Sequence, residues 1–121
     1  MISGIGQIDV AVRDMNRAVE FYRSRLGLRL LFEPADPCNS ALFDCGGVRL
    51  ALRRVEEGAG NSTVYFKVGD LESAAAELKS RGVVFEREPH LVAHFPEHDL
   101  FMALFRDPEG NAIGLMSEAR R

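Results

Sequence analysis

Apolar and polar residues alternate in two short segments of this chain, one early in each half. Residues 8–12 read IDVAV and residues 64–68 read VYFKV, with an apolar side chain at every second position. A period of two places successive side chains on opposite faces of a β-strand. The pattern predicts two equivalent strands, each with one buried face and one face that carries polar groups.

A segment with helical periodicity follows each of these strands. Apolar residues recur on one helical face within residues 15–26 and again within 71–78. Asp14 and Asp70 precede these segments, and a short carboxylate there can accept hydrogen bonds from the free N–H groups of a first helical turn. Two residues stand where each helix should end in a left-handed conformation, Gly27 and Gly82. The chain therefore repeats a strand, a capped helix and a glycine stop.

Three further strands are predicted after each helix. They cover residues 28–32, 41–45 and 48–53 in the first half, and 83–88, 100–105 and 112–116 in the second. The order β-α-β-β-β thus occurs twice. We expect an α+β fold in which two tandem βαβββ modules form mixed sheets that curve into a cup, with the helices on the outer faces.

The same pattern predicts how the chain is divided. Residues 54–62 read RVEEGAGNS, a polar and glycine-rich stretch that indicates a connection between the halves. We expect a single domain over 1–121, made of module one at 5–54, a linker at 55–61 and module two at 62–118.

Composition narrows the possible partners and the compartment. The chain has 121 residues, 46% of them hydrophobic, and a net charge of −3 with both signs scattered. No basic run is present, which disfavours nucleic acid and anionic membranes as partners. No secretion signal or long apolar run appears, and Cys38 and Cys45 do not form a disulfide framework. We expect a cytoplasmic protein with reduced thiols.

Strand alternation predicts which side chains face the cup. These are Gln7, Asp9 and Ala11; Arg49, Ala51 and Arg53; Thr63, Tyr65 and Lys67; and Ala112, Gly114 and Met116. Such a face is either an ordinary solvated sheet surface or the wall of a small-molecule cavity. Two side chains on this face have more than one possible role. Asp9 is expected to form an ion pair with Arg49 or Arg53, and Tyr65 is expected to form an aromatic wall. Near a substrate, Asp9 could instead act as a base and Tyr65 as a proton donor.

Several motifs resemble those of the vicinal oxygen chelate superfamily of glyoxalase, bleomycin-resistance and extradiol-dioxygenase proteins. They are VRDM at 12–15, FY at 21–22, LGL at 26–28, VGDL at 68–71 and FRDPEGN at 105–111. The likeness covers nearly the whole chain. It implies the doubled βαβββ fold and a homodimer, but it leaves function open because one fold serves many functions.

The resemblance also identifies the positions at which metal enzymes of this superfamily hold a divalent ion. Their first, fourth, fifth and eighth strands usually contribute His or Gln, Glu, His and Glu. The matching positions here are Gln7, Ala51, Thr63 and Gly114. Because catalytic metal sites normally need about three protein ligands, we expect no metal and no other cofactor at the standard site. That argues against glyoxalase I, extradiol dioxygenase, methylmalonyl-CoA epimerase and metal-dependent fosfomycin-resistance activities.

The three histidines fall in one segment, PHLVAHFPEHD, which is predicted to be strand and turn. Residues four apart in a strand lie about 13 Å apart, too far to share an ion, but a turn at 95–97 would bring His94 and His98 together. Three interpretations of His90, His94 and His98 stay open. They form a polar loop at the rim of the cup, a displaced metal site, or a titratable contact to a ligand.

The favoured function is a metal-independent small-molecule binding protein of the bleomycin-resistance type, which sequesters a drug or metabolite. The alternative is a glyoxalase-like lyase or isomerase with a non-standard metal site or an acid/base site. The candidate ligand-binding residues are Gln7, Asp9, Arg49, Thr63, Tyr65, His90, His94 and Met116. The sequence assigns neither the ligand nor any catalytic residue.

Overall fold

The structure is a computed structural model that describes residues 1–32 and 40–120. These residues form two units. The first contains the described part of Met1–Ser62 together with Pro108–Gly110, and the second contains Thr63–Asp107 and the residues from Asn111 onward. Each unit has a four-stranded mixed sheet and one helical segment, which confirms the predicted α+β class and the doubled βαβββ order.

The first unit begins with strand β1, Gln7–Val12, and helix α1, Met15–Glu20, which continues into a π-helical turn, Phe21–Arg25. Strands β2, β3 and β4 follow at Arg29–Phe32, Ser40–Cys45 and Val48–Arg54. The strand order is β1-β4-β3-β2, with β1 parallel to β4 and the other pairs antiparallel.

The second unit repeats this topology. Strand β5 is Thr63–Lys67 and helix α2 is Leu71–Ser80. Strands β6, β7 and β8 are Phe85–His94, His98–Arg106 and Ala112–Arg120. The order is β5-β8-β7-β6, and β5 is again parallel to the strand beside it.

Both predicted helix caps are confirmed. The Asp14 carboxylate accepts a hydrogen bond from the Arg17 N–H at 3.1 Å, and the Asp70 carboxylate accepts one from the Ser73 N–H at 3.1 Å. The two predicted glycine stops have positive φ angles of 77° at Gly27 and 91° at Gly82. The π-helical turn was not predicted, because a hydrophobic period does not distinguish it from an α-helical turn.

The structure corrects the prediction for β6. This strand runs over Phe85–His94 instead of 83–88, because it pairs with β7 through several register shifts that break the period of two. His90 and His94 therefore lie on a strand, and His98 begins β7. The predicted polar loop is wrong in extent: the turn contains only residues 95–97 and is closed by the Phe95 N–H and the His98 carbonyl at 2.9 Å.

One face of each sheet packs on its own helix. In the first unit Val10, Leu52 and Phe43 are fully buried with Tyr22, whose ring centroid lies 6.2 Å from that of Phe43. The buried apolar set of the second unit is Leu71, Ala75, Leu78, Val83, Ala103, Phe105, Ile113 and Leu115. Each large apolar side chain buried in this way contributes about 1.5–3 kcal/mol. Ile8, predicted to face inward, is 39% exposed.

Candidate ligand-binding surface

The polar face of the first sheet is formed by the residues that alternate with this core. Register pairs Asp9 with Ala51, Ala51 with Leu42, and Leu42 with Phe32, so these four residues form one row across the sheet. Ala51 is 1% exposed, whereas Phe32 at the edge strand is 50% exposed. The row therefore changes from a carboxylate at one end to an exposed aromatic ring at the other.

Asp9 is held by two neighbours on this face. Its Oδ1 accepts a hydrogen bond from Gln7 Nε2 at 2.8 Å, and its Oδ2 lies 3.7 Å from Arg53 Nε. The predicted ion pair is thus confirmed, with Arg53 as the partner and not Arg49. Both charged side chains are about half exposed, so the pair contributes little stability and mainly orients the carboxylate.

The second sheet has a comparable row whose ends are basic. Lys67 pairs with Met116, Met116 with Met102, and Met102 with His90, which places one residue from each of the four strands at the same level. The two methionines and His90 are partly buried, and Lys67 is exposed. Two thioether side chains therefore lie between an ammonium group and an imidazole.

The next row contains a close approach between a side chain and the backbone. Register pairs Tyr65 with Gly114, Gly114 with Leu104, and Leu104 with Arg87. The Tyr65 ring lies over the Gly114 α-carbon, because a Cβ built on Gly114 would stand 2.2 Å from Tyr65 Cδ1 and 2.4 Å from Cε1. Tyr65 is nevertheless 47% exposed. The Cδ1–Cε1 edge of the ring therefore lies against backbone, and much of the residue remains accessible.

Register thus places four predicted site residues on one face of the second sheet: Thr63, Tyr65, Met116 and His90. It also adds Met102 and Leu104, which the sequence analysis did not assign to this face. Every residue from 100 to 105 is apolar, so alternation alone could not show which side of β7 faces the helix. Pairing with Gly114 and Met116 supplies that information.

His94 is separated from this surface. It pairs with Asp99, and its Nδ1 lies 2.6 Å from the Asp99 carboxylate. Odd-numbered positions of β7 alternate with Met102 and Leu104, so this pair belongs to the opposite face. His98 has a different partner, with its Nε2 3.2 Å from the Glu118 carboxylate. Across residues 1–32 and 40–120, no three or more His, Cys, Asp or Glu side chains are grouped to hold a metal ion.

The FRDPEGN motif forms a buried turn. The Asp107 carboxylate accepts hydrogen bonds from the Asn111 N–H at 2.9 Å and from Asn111 Nδ2 at 2.8 Å. Glu109 at the tip has a side chain only 2% exposed, and it accepts from the Asp14 N–H at 2.8 Å and from Arg17 Nη2 at 3.1 Å. Asp107 and Asn111 of the motif therefore close the turn, and Glu109 holds the start of α1.

These hydrogen-bond donors stabilise the ionised form of the Glu109 carboxyl group. Burial by itself would raise the pKa of this carboxyl. The hydrogen bonds from the Asp14 and Arg13 backbone N–H groups, together with the Arg17 guanidinium, outweigh burial and leave the pKa below its ordinary value. The same residues border an open groove of about 490 Å³ in the first unit, along with Arg54 and its ion-pair partner Glu56.

A family model, the Glyoxalase/Bleomycin resistance protein/Dioxygenase superfamily, matches residues 4–115. The chain belongs to this superfamily. Uncharacterized protein YraH of Bacillus subtilis is 32% identical over 122 residues, which cover 88% of this chain and 92% of YraH. A metallothiol transferase, FosB of Staphylococcus haemolyticus, is 42% identical over 52 residues, covering 43% of this chain and only 35% of the transferase.

Several solved structures share this fold. Lactoylglutathione lyase from Agrobacterium tumefaciens superposes with a TM-score of 0.79 at 20% identity, covering 97% of this chain and 95% of the lyase. TioX from Micromonospora sp. ML1 gives 0.80 at 22% identity, covering 95% and 98%. These identities establish similarity of fold alone. None of the described helices has the length and apolar character needed to cross a membrane.

The residues at the superfamily's metal positions do not fit a divalent ion. Ala51 and Gly114 have no donor atom in their side chains, and Tyr65 occupies the space into which a longer side chain at 114 would extend. Gln7 donates its amide to Asp9, and Thr63 offers one hydroxyl. Of these positions, the first unit offers a divalent ion one amide oxygen and the second offers one hydroxyl, and each is well short of the usual protein ligand set.

Proposed function

We propose that this protein is a metal-independent small-molecule binding protein of the bleomycin-resistance type, which sequesters a drug or metabolite as a cytoplasmic homodimer. The observation that carries the proposal is the packing of Tyr65 on Gly114. The aromatic ring takes the place of a ligating side chain, so a position used for Lewis-acid chemistry elsewhere in the superfamily becomes an apolar contact surface.

The arrangement of the neighbouring side chains supports binding. Tyr65, Leu104 and the two methionines supply apolar area, and Lys67 and Arg87 supply charge at its borders. A few polar groups around an apolar centre are typical of small-molecule sites. The proposed contacts are Thr63, Tyr65, His90 and Met116 on the second sheet, with Gln7, Asp9 and Arg49 as candidates on the first. His94 is the weakest candidate, because its register places it on the other face.

A second candidate function is a glyoxalase-like enzyme. The match to a metallothiol transferase over 52 residues favours it. In the acid/base form of this hypothesis Tyr65 would donate a proton and Asp9 would accept one. The Asp9 carboxylate is already held by Gln7 and Arg53, which suits a fixed orienting group better than a base that must be reached by substrate.

A thermal-shift screen of the tag-free protein separates the two functions. The panel would contain Zn²⁺, Mn²⁺, Ni²⁺ and Mg²⁺, each with and without chelator, and a set of aromatic antibiotics and metabolites. A ligand that binds only the folded state stabilises it by RT ln(1 + L/Kd), where L is the free ligand concentration. We expect stabilisation by one or more organic compounds and none by metals. Stabilisation by a metal, with metal-dependent consumption of a glutathione or thiol substrate, would replace the binder with the enzyme.

A further inference from the structure

We propose that the second sheet binds a small planar aromatic anion. This inference rests on the proposed binding function and specifies its ligand class. The site consists of the Tyr65 ring, the Met116 and Met102 thioethers beside it, and the Lys67 ammonium at the border.

The shape of the surface favours a planar ligand. Tyr65 is held against the Gly114 backbone, which has no side chain to lift the ring away from the sheet. A ring fixed in this way offers its accessible surface for stacking at little entropic cost. Met116 and Met102 lie in the adjoining row, and methionine sulfur makes favourable contacts with aromatic rings. Polarisable apolar groups therefore surround the position of a stacked ligand.

A small cavity adjoins the surface at its Lys67 end. It measures about 190 Å³ and is lined by Lys67, Met116 and Glu118, together with Val68, Gly69 and Ser117. Pockets for drug-sized ligands usually measure about 300–1,000 Å³. This cavity can therefore take a small group of a ligand that stacks on Tyr65, but not a drug-sized molecule.

The charges on this face favour an anion. Its carboxylates already have partners: Glu118 lies within hydrogen-bonding distance of His98, 3.2 Å from Nε2, and Glu86 forms an ion pair with Arg106, 3.1 Å from Nε. Lys67 and Arg87 form no ion pair in the part of the chain that the structure describes. Two cationic side chains of this face are therefore available to a ligand, although the whole chain carries −3.

Methionine-methyl NMR tests this assignment on the full, tag-free chain. The probes are three naphthalenes of nearly equal shape: 2-naphthoate, 2-naphthylmethanol and 2-naphthylmethylammonium. We expect 2-naphthoate to shift the methyl signals of Met102 and Met116 through its ring current, and to leave that of Met15, which is 9% exposed in the first unit, in place. A shift of the Met1 methyl signal would indicate nonspecific association of the probe.

The charge preference is measured by titration of the same signals. We expect 2-naphthoate to bind about threefold to fivefold more tightly than the alcohol, the range that an exposed ion pair gives, and the ammonium compound to bind more weakly than both. Lys67→Gln should abolish the preference for the anion. Lys79→Gln is the matched control, because it removes the same charge from α2, which packs on the other face.

The aromatic contact is tested separately. Tyr65→Ala should weaken 2-naphthoate binding at least tenfold, and Tyr65→Phe should preserve it. Unchanged dispersion of the remaining methyl signals confirms that each variant is folded.

Equal affinity for the three probes, or an anion preference that survives in Lys67→Gln, would overturn the inference. If no probe binds while another uncharged or cationic compound stabilises the protein, the inference fails and the binding function stands. Metal-dependent turnover would remove the binding function itself.

Discussion

The Tyr65 ring covers the α-carbon of Gly114 on the adjacent parallel strand, so closely that a methyl group at 114 would stand 2.2 Å from Tyr65 Cδ1. The contact explains why a glycine stands at 114 and why the Tyr65 ring can pack at this place. The glycine leaves the space that the Cδ1–Cε1 edge of the ring occupies, and the ring leaves no room for a side chain at 114. In the proposed function, this pair provides an aromatic surface at the position that the sequence resemblance assigns to a metal ligand.

A double-mutant cycle tests the dependence between these two residues. Gly114→Ala should destabilise the protein by about 1–3 kcal/mol, because the new methyl forces the ring out of its position. In a Tyr65→Ala background the same change should cost little or should stabilise, since alanine is favoured over glycine within a strand by about 0.5–1 kcal/mol. Urea unfolding of the four proteins gives the coupling energy. Equal costs in both backgrounds would show that the ring does not lie on Gly114.

Glu109 should make stability depend on pH. Its pKa is lowered in the folded state, so its contribution is complete above the pKa of an unfolded glutamate, about 4.3, and is lost as the pH falls through the lower folded value. Glu109→Gln should cost about 1–2 kcal/mol at pH 7, because two backbone N–H groups lose a charged acceptor and the ion pair with Arg17 is lost. The difference from the parent should shrink below about pH 4.

Glu56→Gln provides the control for that measurement. Glu56 also pairs with an arginine, Arg54 at 2.9 Å, but its side chain is 82% exposed. Its substitution should change the unfolding free energy very little at either pH. A Glu109 effect that is as small as the Glu56 effect, or that stays constant from pH 7 to acid, would contradict the assigned role.

The cap of α2 provides a third prediction. The Asp70 carboxylate accepts the Ser73 N–H, so Asp70→Ala should destabilise the protein by about 0.5–2 kcal/mol. Asp70→Asn keeps an oxygen acceptor and should recover most of that loss. The comparison is made by thermal unfolding at neutral pH. Equal destabilisation by alanine and asparagine would show that the side-chain acceptor does not hold the helix start.

The thiol of Cys45 should react slowly with alkylating reagents. Burial raises the pKa of this thiol, and the neighbouring Asp44 charge raises it further. Since the thiolate is the reactive form, iodoacetamide should modify Cys45 more slowly at pH 7.5 in folded Cys38→Ser protein than in the same protein unfolded in urea. Asp44→Asn should accelerate the reaction. A folded rate equal to the unfolded rate would contradict the raised pKa. Cys38 itself lies outside the described residues.

Local sequence signals predicted most of the fold. Alternation located β1 and β5, and Asp14, Asp70, Gly27 and Gly82 marked the helix boundaries correctly. These signals depend on residues close together in the chain, so they can be read without tertiary information. The pairing of Asp9 joins two strands that are distant in the chain, so alternation limited its partner to Arg49 or Arg53 on one side of β4 and the structure identified Arg53.

The features that were missed depend on pairing between distant segments. The extent of β6 follows from its register shifts against β7, and the positions of Met102 and Leu104 follow from their partners on β8. The contact of Tyr65 with Gly114 joins residues from separate strands. The sequence identified both as lining residues, but their packing against each other appears only when β5 and β8 lie side by side.

The metal content of the purified protein tests the central claim most directly. Tag-free protein would be prepared from cells grown with added zinc, manganese and nickel, passed over a desalting column without chelator, and analysed by inductively coupled plasma mass spectrometry against protein concentration. The account predicts far less than one equivalent of any divalent metal. One equivalent retained by the parent protein, and lost when Gln7 and Thr63 are replaced by alanine, would contradict it.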